Sequence, residues 1–355
     1  MLRKPFRSRE VFTLLPWAAT IAIDLGTSLT HIAVPGGGVV VREPTIAAFA
    51  AGSRKPVAVG REARRLWERG VTDVQIVHPV RDGVVADFDA TVALLRQLIQ
   101  RALGRRPLFP PQIVASCPAE ITPVALRALQ DSLHAGGGGH VVTVLKPLAS
   151  ALGAGLTANN EETILVVDIG GGSTEVGIFS AGLVTAASTI PFGGENLDRA
   201  LLRAVRRESG LRISEAQAEQ IKEQIGSVNG WTGAPSLSVT ASEEETADAP
   251  TPHDLDAAKV PRLLAEAFEP LLNELLWTVE TFPRNVQHEL TQGGVVLTGG
   301  GALLRGVEEL VRNTLHLPVG VATDPVSCTI LGLEAVMRDL PALALGGKAF
   351  GAAVR

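Results

Sequence analysis

The chain has 355 residues and a hydrophobic content of 46%, too much for one small core and enough for two domains or one bilobed body. Aromatics are only 4%, with no Tyr, so the cores must be aliphatic, and a net charge of -5 gives no support to nucleic-acid binding. The two cysteines, Cys117 and Cys328, lie far apart and match no metal spacing; they read as small buried hydrophobes in a chain of the reducing cytoplasm.

Residues 1–19 form a basic, partly apolar leader. The apolar stretch over 11–23 is too short to span a bilayer and contains Pro16. With Arg3, Lys4, Arg7 and Arg9 before it, it has the outward form of a signal peptide. Cleavage after Ala19 would leave no lead-in to the strand at 21–24, which argues against one. The leader reads either as a membrane-surface helix carrying Leu2, Phe6, Val11, Leu14 and Leu15, or as a solvated tail.

A strand–turn–strand unit follows. Apolar residues 21–23 end in Asp24, then come Gly26, Thr27 and Ser28, then a second strand over 31–34. A third strand over 39–42 extends the meander. Residues 44–78 form a small insertion with a short helix at 62–69. A turn and short strand occupy 80–87. A helix spans 88–103, with Asp87 or Asp89 as its N-cap. A strand over 112–116 leads to a helix over 123–134, with Thr122 as N-cap and Pro123 in its first turn. A strand over 140–145 and a helix of small residues over 148–156 complete this half.

The unit then repeats. Ile164-Leu165-Val166-Val167 is a short apolar run of the kind a strand covered on both faces shows, and it ends in Asp168. Gly170, Gly171 and Gly172 follow, then Ser173 and Thr174, then a second strand. Three successive glycines let backbone N–H groups turn inward, as in loops that cradle phosphate oxygens. An Asp beside such a loop suits a hydrated divalent metal. Alone, the stretch is equally a Gly-rich hairpin with an ordinary Asp at its turn. Further on come a strand over 183–188 and helices over 196–208 and 214–225. The polar, acidic segment 230–253 reads as a flexible loop. A helix over 256–282 carries Pro261 and Pro270 as kinks or breaks. A strand over 294–297 meets a third glycine turn, 299–301, which opens a helix over 303–315. A strand over 319–321, a helix over 329–337 and a loose tail end the chain.

Two such units predict an α/β fold of two related lobes, each a mixed β-sheet flanked by helices. The first lobe spans 20–156 with its insertion at 44–78; the second spans 157–338 with an insertion at about 193–265; the tail is 339–355. Two Asp–Gly turns facing one another would frame a ligand cleft between the lobes.

In this order the three glycine motifs resemble those of the actin, heat-shock chaperone and sugar-kinase ATPase superfamily. Asp24-Leu25-Gly26-Thr27-Ser28, Pro79-Val80-Arg81-Asp82-Gly83, Pro147-Leu148-Ala149-Ser150-Ala151, Gly193-Gly194-Glu195-Asn196 and Thr298-Gly299-Gly300-Gly301-Ala302 narrow the likeness to the MreB-like bacterial actins. The resemblance covers roughly 20–228 and 290–338. It implies an actin-like two-lobed ATPase fold that binds ATP with magnesium (Mg2+). It places Gly26, Thr27, Ser28 and Leu29 in the first phosphate loop, and Gly170, Gly171, Gly172, Ser173 and Thr174 in the second. Asp24 and Asp168 would orient the magnesium through its waters. Glu219 and Lys222, one helical turn apart, would face the ribose and base; without the resemblance they read as a solvent-facing ion pair. Gly299, Gly300, Gly301, Ala302 and Leu303 would close on the adenosine side.

The resemblance also implies partners: further copies of the chain in a filament, the cytoplasmic face of the cell membrane, and cell-wall synthesis proteins. Leu108-Phe109, flanked by Arg105 and Arg106, matches a membrane-inserting tip, the other reading being a loop tucked onto its own core. Two departures stand out. The family places a Glu before the Pro-Leu-Ala helix to position the attacking water, and here that residue is Lys146, which cannot accept a proton while charged. Thr174 is then the remaining candidate to orient water. The 230–253 region departs from the strands usual in the family. ATP binding with slow or absent hydrolysis is the expectation. A non-polymerising ATP-binding adaptor and a small-molecule kinase are the alternatives, the kinase requiring a catalytic carboxylate that the first lobe does not offer.

Overall fold

The computed structural model describes residues 19–104, 109–157, 162–230, 233–243 and 251–344. Residues 1–18 of the leader, Leu108 with Arg105 and Arg106, residues 244–250 and residues 345–355 of the tail lie outside them. The first half opens with the meander β1 (Thr20–Leu25), β2 (Leu29–Val34) and β3 (Gly38–Pro44). A small insertion follows: β4 (Ala47–Ala50), β5 (Pro56–Val59), α1 (Arg61–Glu68) and β6 (Val74–Val77), whose strands form their own sheet. The short hairpin β7 (Val80–Arg81) and β8 (Val84–Val85) leads to α2 (Phe88–Leu103), β9 (Gln112–Cys117), α3 (Pro123–Ala135), β10 (Val141–Leu145) and α4 (Lys146–Gly153).

The second half repeats the plan. β11 (Ile164–Ile169), β12 (Thr174–Ser180) and β13 (Leu183–Ile190) form the meander. Then come α5 (Gly194–Ser209), β14 (Leu211–Arg212), α6 (Glu215–Ile225), β15 (Ser236–Glu243), β16 (Thr251–Asp256), α7 (Val260–Thr281) and α8 (Arg284–Gly293). β17 (Val295–Thr298), α9 (Val307–Leu315), β18 (Val319–Val321) and α10 (Cys328–Ala344) close the fold.

The two main sheets have the same construction. Strand order is β10-β9-β1-β2-β3 in one and β13-β12-β11-β17-β18 in the other. In each, the first meander strand is antiparallel to the second and parallel to a later strand: β1 pairs with β2 and β9, β11 with β12 and β17. Ile21, Ala22 and Ile23 in β1, and Leu165, Val166 and Val167 in β11, have no exposed surface, because helices cover both faces of each sheet.

α4 and α10 join the halves. Leu148, Ala149 and Ala151 of α4, and Ile330, Leu333 and Val336 of α10, share one core with both sheets. The helices cross at glycines: a Cβ on Gly332 would overlap the Ala149 carbonyl, and one on Gly153 would overlap that of Cys328. Small residues here let two backbones touch, so the lobes meet at a fixed, close crossing.

Several expectations are corrected. Residues 236–243 and 251–256 are not a flexible loop but an antiparallel hairpin, β15 and β16, extended by β14. Val239, Ala241 and Leu255 bury one face of it, an alternation that the surrounding Ser, Thr and acidic residues mask. Pro261 lies in the first turn of α7, where its missing N–H costs nothing, and Pro270 is carried inside that helix without ending it. α8 is an element the sequence reading did not separate. The third glycine turn opens a short 3-10 segment, Gly300–Leu303, and α9 begins only after Gly306, which sits at φ 87°. No long helix therefore points its N-terminus from that turn.

Candidate functional site

The site is built on two turns of one kind. Gly26 N donates to Leu29 O at 3.0 Å, and Gly170 N donates to Ser173 O at 2.9 Å. Each turn joins the first two strands of its meander, so the two sheets present them from opposite sides of one cleft. They meet there: a Cβ on Gly171 would overlap Ser28 Oγ. Gly83 N donates to Thr27 Oγ1 at 3.1 Å and braces the first turn. Gly194 N and Glu195 N, at the start of α5, donate to the carbonyls of Gly170 and Gly171 at 3.0 and 2.8 Å and brace the second.

Between the turns lies a cavity of about 470 Å³. Its walls include Asp24, Gly26, Thr27, Ser28, Leu29, Lys146, Asp168, Gly170, Gly171, Gly172, Ser173, Glu219, Lys222, Gly299, Gly300, Gly301 and Leu303. Two residues expected in the site stand apart from it. Thr174 is fully buried and its hydroxyl donates to Phe192 O at 2.8 Å, so it has no proton-accepting or water-orienting position in the cleft. Strand alternation turns it away from the face that carries Ser173 and Glu175. Ala302 packs in the core of the second lobe. Of the expected membrane tip, Phe109 is 51% exposed.

His31 and Glu175 line the cavity and were missed from the sequence. Both follow from register: β1 sets Asp24 opposite His31, and β11 sets Asp168 opposite Glu175. Laying the two repeats over one another marks both positions. Glu175 is closely held: Ser173 Oγ donates to one carboxylate oxygen at 3.0 Å, and Ala119 N and Thr189 Oγ1 donate to the other at 2.9 and 2.7 Å. His31 is buried, and neither ring nitrogen has a hydrogen-bond partner.

The two aspartates differ in their support. Ser116 Oγ donates to Asp24 Oδ1 at 2.6 Å, and Lys146 Nζ lies 3.7 Å from the same oxygen. Burial alone would raise the Asp24 carboxyl, but Lys146, His31 and Ser116 outweigh it and hold it down to about 2. Asp168 takes hydrogen bonds from Ser150 of α4 at 2.6 Å and Thr329 of α10 at 2.9 Å. There burial wins over the attraction of Lys146, and the carboxyl is raised; Glu175 is raised for the same reason. Burial works against the charge on Lys146, yet Asp24, Asp168 and Glu175 together raise it, so the ammonium keeps its proton at neutral pH.

At the mouth of the cleft, Glu219 and Lys222 of α6 both face the cavity but do not pair with each other. Arg64 Nη1 of α1 reaches Glu219 at 2.8 Å, and Lys222 Nζ reaches Asp198 of α5 at 2.7 Å and donates to Gly194 O at 3.2 Å. Burial pushes Asp198 up to about 6 despite Lys222.

The donor set does not suit a divalent metal. One oxygen of Asp24, one of Asp168 and both of Glu175 already accept hydrogen bonds, and the Lys146 ammonium stands 3.7 Å from Asp24. Among the described residues, no group of three or more His, Cys, Asp or Glu is arranged to hold a metal ion.

Two glycine turns facing a cleft between related α/β lobes define an actin-like nucleotide-binding fold. The MreB/Mbl protein family model matches residues 18–344. The cell shape-determining protein Mbl of Bacillus subtilis is 32% identical over 92% of this chain and 98% of its own. The cell shape-determining protein MreB of Escherichia coli is 35% identical over 88% and 91%. Among solved structures, MreB5 of Spiroplasma citri bound to AMPPNP superposes with a TM-score of 0.85 at 25% identity, covering 93% of this chain and 99% of that one. The MamK double helical filament shares the fold at a TM-score of 0.75 and 22% identity, covering 91% and 100%. The chain belongs to the MreB/Mbl family.

Proposed function

We propose that this chain is an ATP-binding cytoskeletal protein that assembles into membrane-associated filaments, helps organise cell-wall synthesis and cell shape, and hydrolyses ATP slowly. The pair of turns at 26–29 and 170–173 facing one cavity carries the nucleotide reading. Their backbone N–H groups suit phosphate oxygens, and Glu219, Lys222 and the 299–301 turn suit the nucleoside end. The relative MreB5 binds AMPPNP and ADP, which supports the same ligand class here.

Slow hydrolysis follows from the groups around the phosphate region. A charged Lys146 cannot take a proton from water. Glu175 has both oxygens engaged by Ser173, Ala119 and Thr189, which leaves it ill placed to do so. Phosphoryl transfer without a water-positioning group is slow.

Filament assembly is supported by the MamK filament and by the cell-shape roles named for Mbl and MreB. The β15–β16 hairpin supplies strands in the region whose apparent departure, together with Lys146, favoured the adaptor reading. Among the described residues no helix is long and apolar enough to cross a membrane, so attachment to its cytoplasmic face would be peripheral, with exposed Phe109 as one contact. Sedimentation with ATP and anionic liposomes tests assembly. Filaments in the pellet are expected; a monomer in the supernatant at high concentration would end that reading. Phosphate release by wild type should be slow, and Lys146→Glu should speed it about tenfold or more. Brisk turnover by the wild type would refute the hydrolysis claim.

A further inference from the structure

We propose that Lys146 is the resident counter-cation of the cleft, so that the chain binds the phosphates of a nucleoside di- or triphosphate without a divalent metal. This rests on the nucleotide reading above.

Lys146 opens α4 directly after β10, and its side chain is only 13% exposed. It lines the same cavity as both glycine turns, with Nζ 3.7 Å from Asp24 Oδ1. A divalent ion beside Asp24 would sit against this ammonium and be repelled by it. Asp24 is therefore already compensated, by a charge covalently fixed to the fold. Phosphate oxygens entering between the turns meet the same ammonium, which binds phosphate as a point charge.

His31 adds a second feature. Its side chain is 3% exposed and lies opposite Asp24 in the β1–β2 pair, with Nδ1 3.8 Å from Asp24 Oδ2. His31 thereby joins Lys146 and Ser116 in compensating Asp24 from within the fold. Asp168 and Glu175 are also held by protein donors, Ser150 and Thr329 on the one and Ser173, Ala119 and Thr189 on the other.

The test is calorimetric titration of the nucleotide-free full chain with ATP, in Mg2+ and in EDTA. The expected result is affinities that agree within about tenfold, with Lys146→Arg behaving alike and Lys146→Glu losing about tenfold or more on removing the metal. Mn2+ electron paramagnetic resonance on the ADP-bound wild type gives a readout that needs no variant. No tightly held Mn2+ is expected, whereas Lys146→Glu should hold it. An ATP affinity for the wild type that falls by more than about tenfold in EDTA overturns the proposal and leaves the nucleotide site standing. So does Mn2+ bound to the wild type with ADP. Absence of ATP binding in both buffers overturns the nucleotide reading itself, and this proposal with it.

Discussion

Arg64 Nη1 lies 2.8 Å from Glu219 Oε2, and the pair ties α1 of the small insertion to α6 of the second lobe across the cleft mouth. The side chains are 19% and 15% exposed, so solvent screens them only partly. Arg64 is fixed from its other sides too, by Glu68 at 2.7 Å and by its stack on the Trp67 ring at 5.0 Å. Because Glu219 also lines the nucleotide cavity, closure of the cleft and occupancy of the site share one residue.

Arg64→Ala should cost about 1–3 kcal/mol, more than a surface pair and less than a fully buried one. Urea unfolding measures the cost. Hydrogen exchange should show α1 amides losing protection first, since their tie to α6 is gone. Unchanged exchange in α1 would mean that the pair does not hold the mouth closed.

The Asp24–Lys146 contact makes a pH prediction. The folded Asp24 carboxyl, at about 2, lies below its ordinary 3.8, so its stabilisation is present above that value and lost as pH falls toward 2. This amounts to about 2 kcal/mol at neutral pH. In Lys146→Met, the strongest offset to burial is gone, only His31 and Ser116 remain, and the carboxyl rises. The gap in melting temperature between wild type and variant should widen as pH rises from about 2 to 5. Calorimetry across that range checks it; a gap independent of pH would rule out the charge contact as its cause.

Asp198 predicts the opposite sign. Its folded value of about 6 lies above its ordinary 3.8, so the native state holds the extra proton between them. Stability should fall as pH rises through this window, by about 2–3 kcal/mol. Asp198→Asn should flatten that part of the profile while leaving the Asp24 limb below pH about 4 in place.

Gly332→Ala sets two effects against each other. Helix propensity alone would stabilise α10 by about 1 kcal/mol. The added methyl meets the Ala149 carbonyl of α4, a backbone group that cannot rotate away. Overpacking of this kind costs about 1–3 kcal/mol, so net destabilisation is expected. A rise in melting temperature would show that the helices can separate. Asp168 is held by Ser150 and Thr329 from these two helices, so nucleotide affinity should drop as well.

Much of the fold was legible because its signals are local. Short apolar runs ending in Asp, followed by Gly and hydroxyls, announce both meanders. The caps are local too: Asp87 accepts from Ala90 N at 2.9 Å, Thr122 from Ala125 N at 3.2 Å and Ser214 from Gln217 N at 3.2 Å. The β15–β16 hairpin escaped notice because three buried apolar side chains make its case among polar neighbours. α8 was hidden because only Leu290 of that helix is buried, leaving little periodicity to read.

By itself the sequence determined the repeated Asp–Gly units, and with them the two lobes and the turns of the cleft. Each depends on residues adjacent in the chain, where backbone freedom and hydrophobic run length act directly. Tertiary structure alone decided which side chains face the cavity. Register put Glu175 and His31 inside and turned Thr174 away. Packing from distant segments buried Asp24, Asp168 and Lys146 together. Their charges are set by the balance between that shared burial and the charges they place on one another, a property of the assembled fold and of no single stretch of chain.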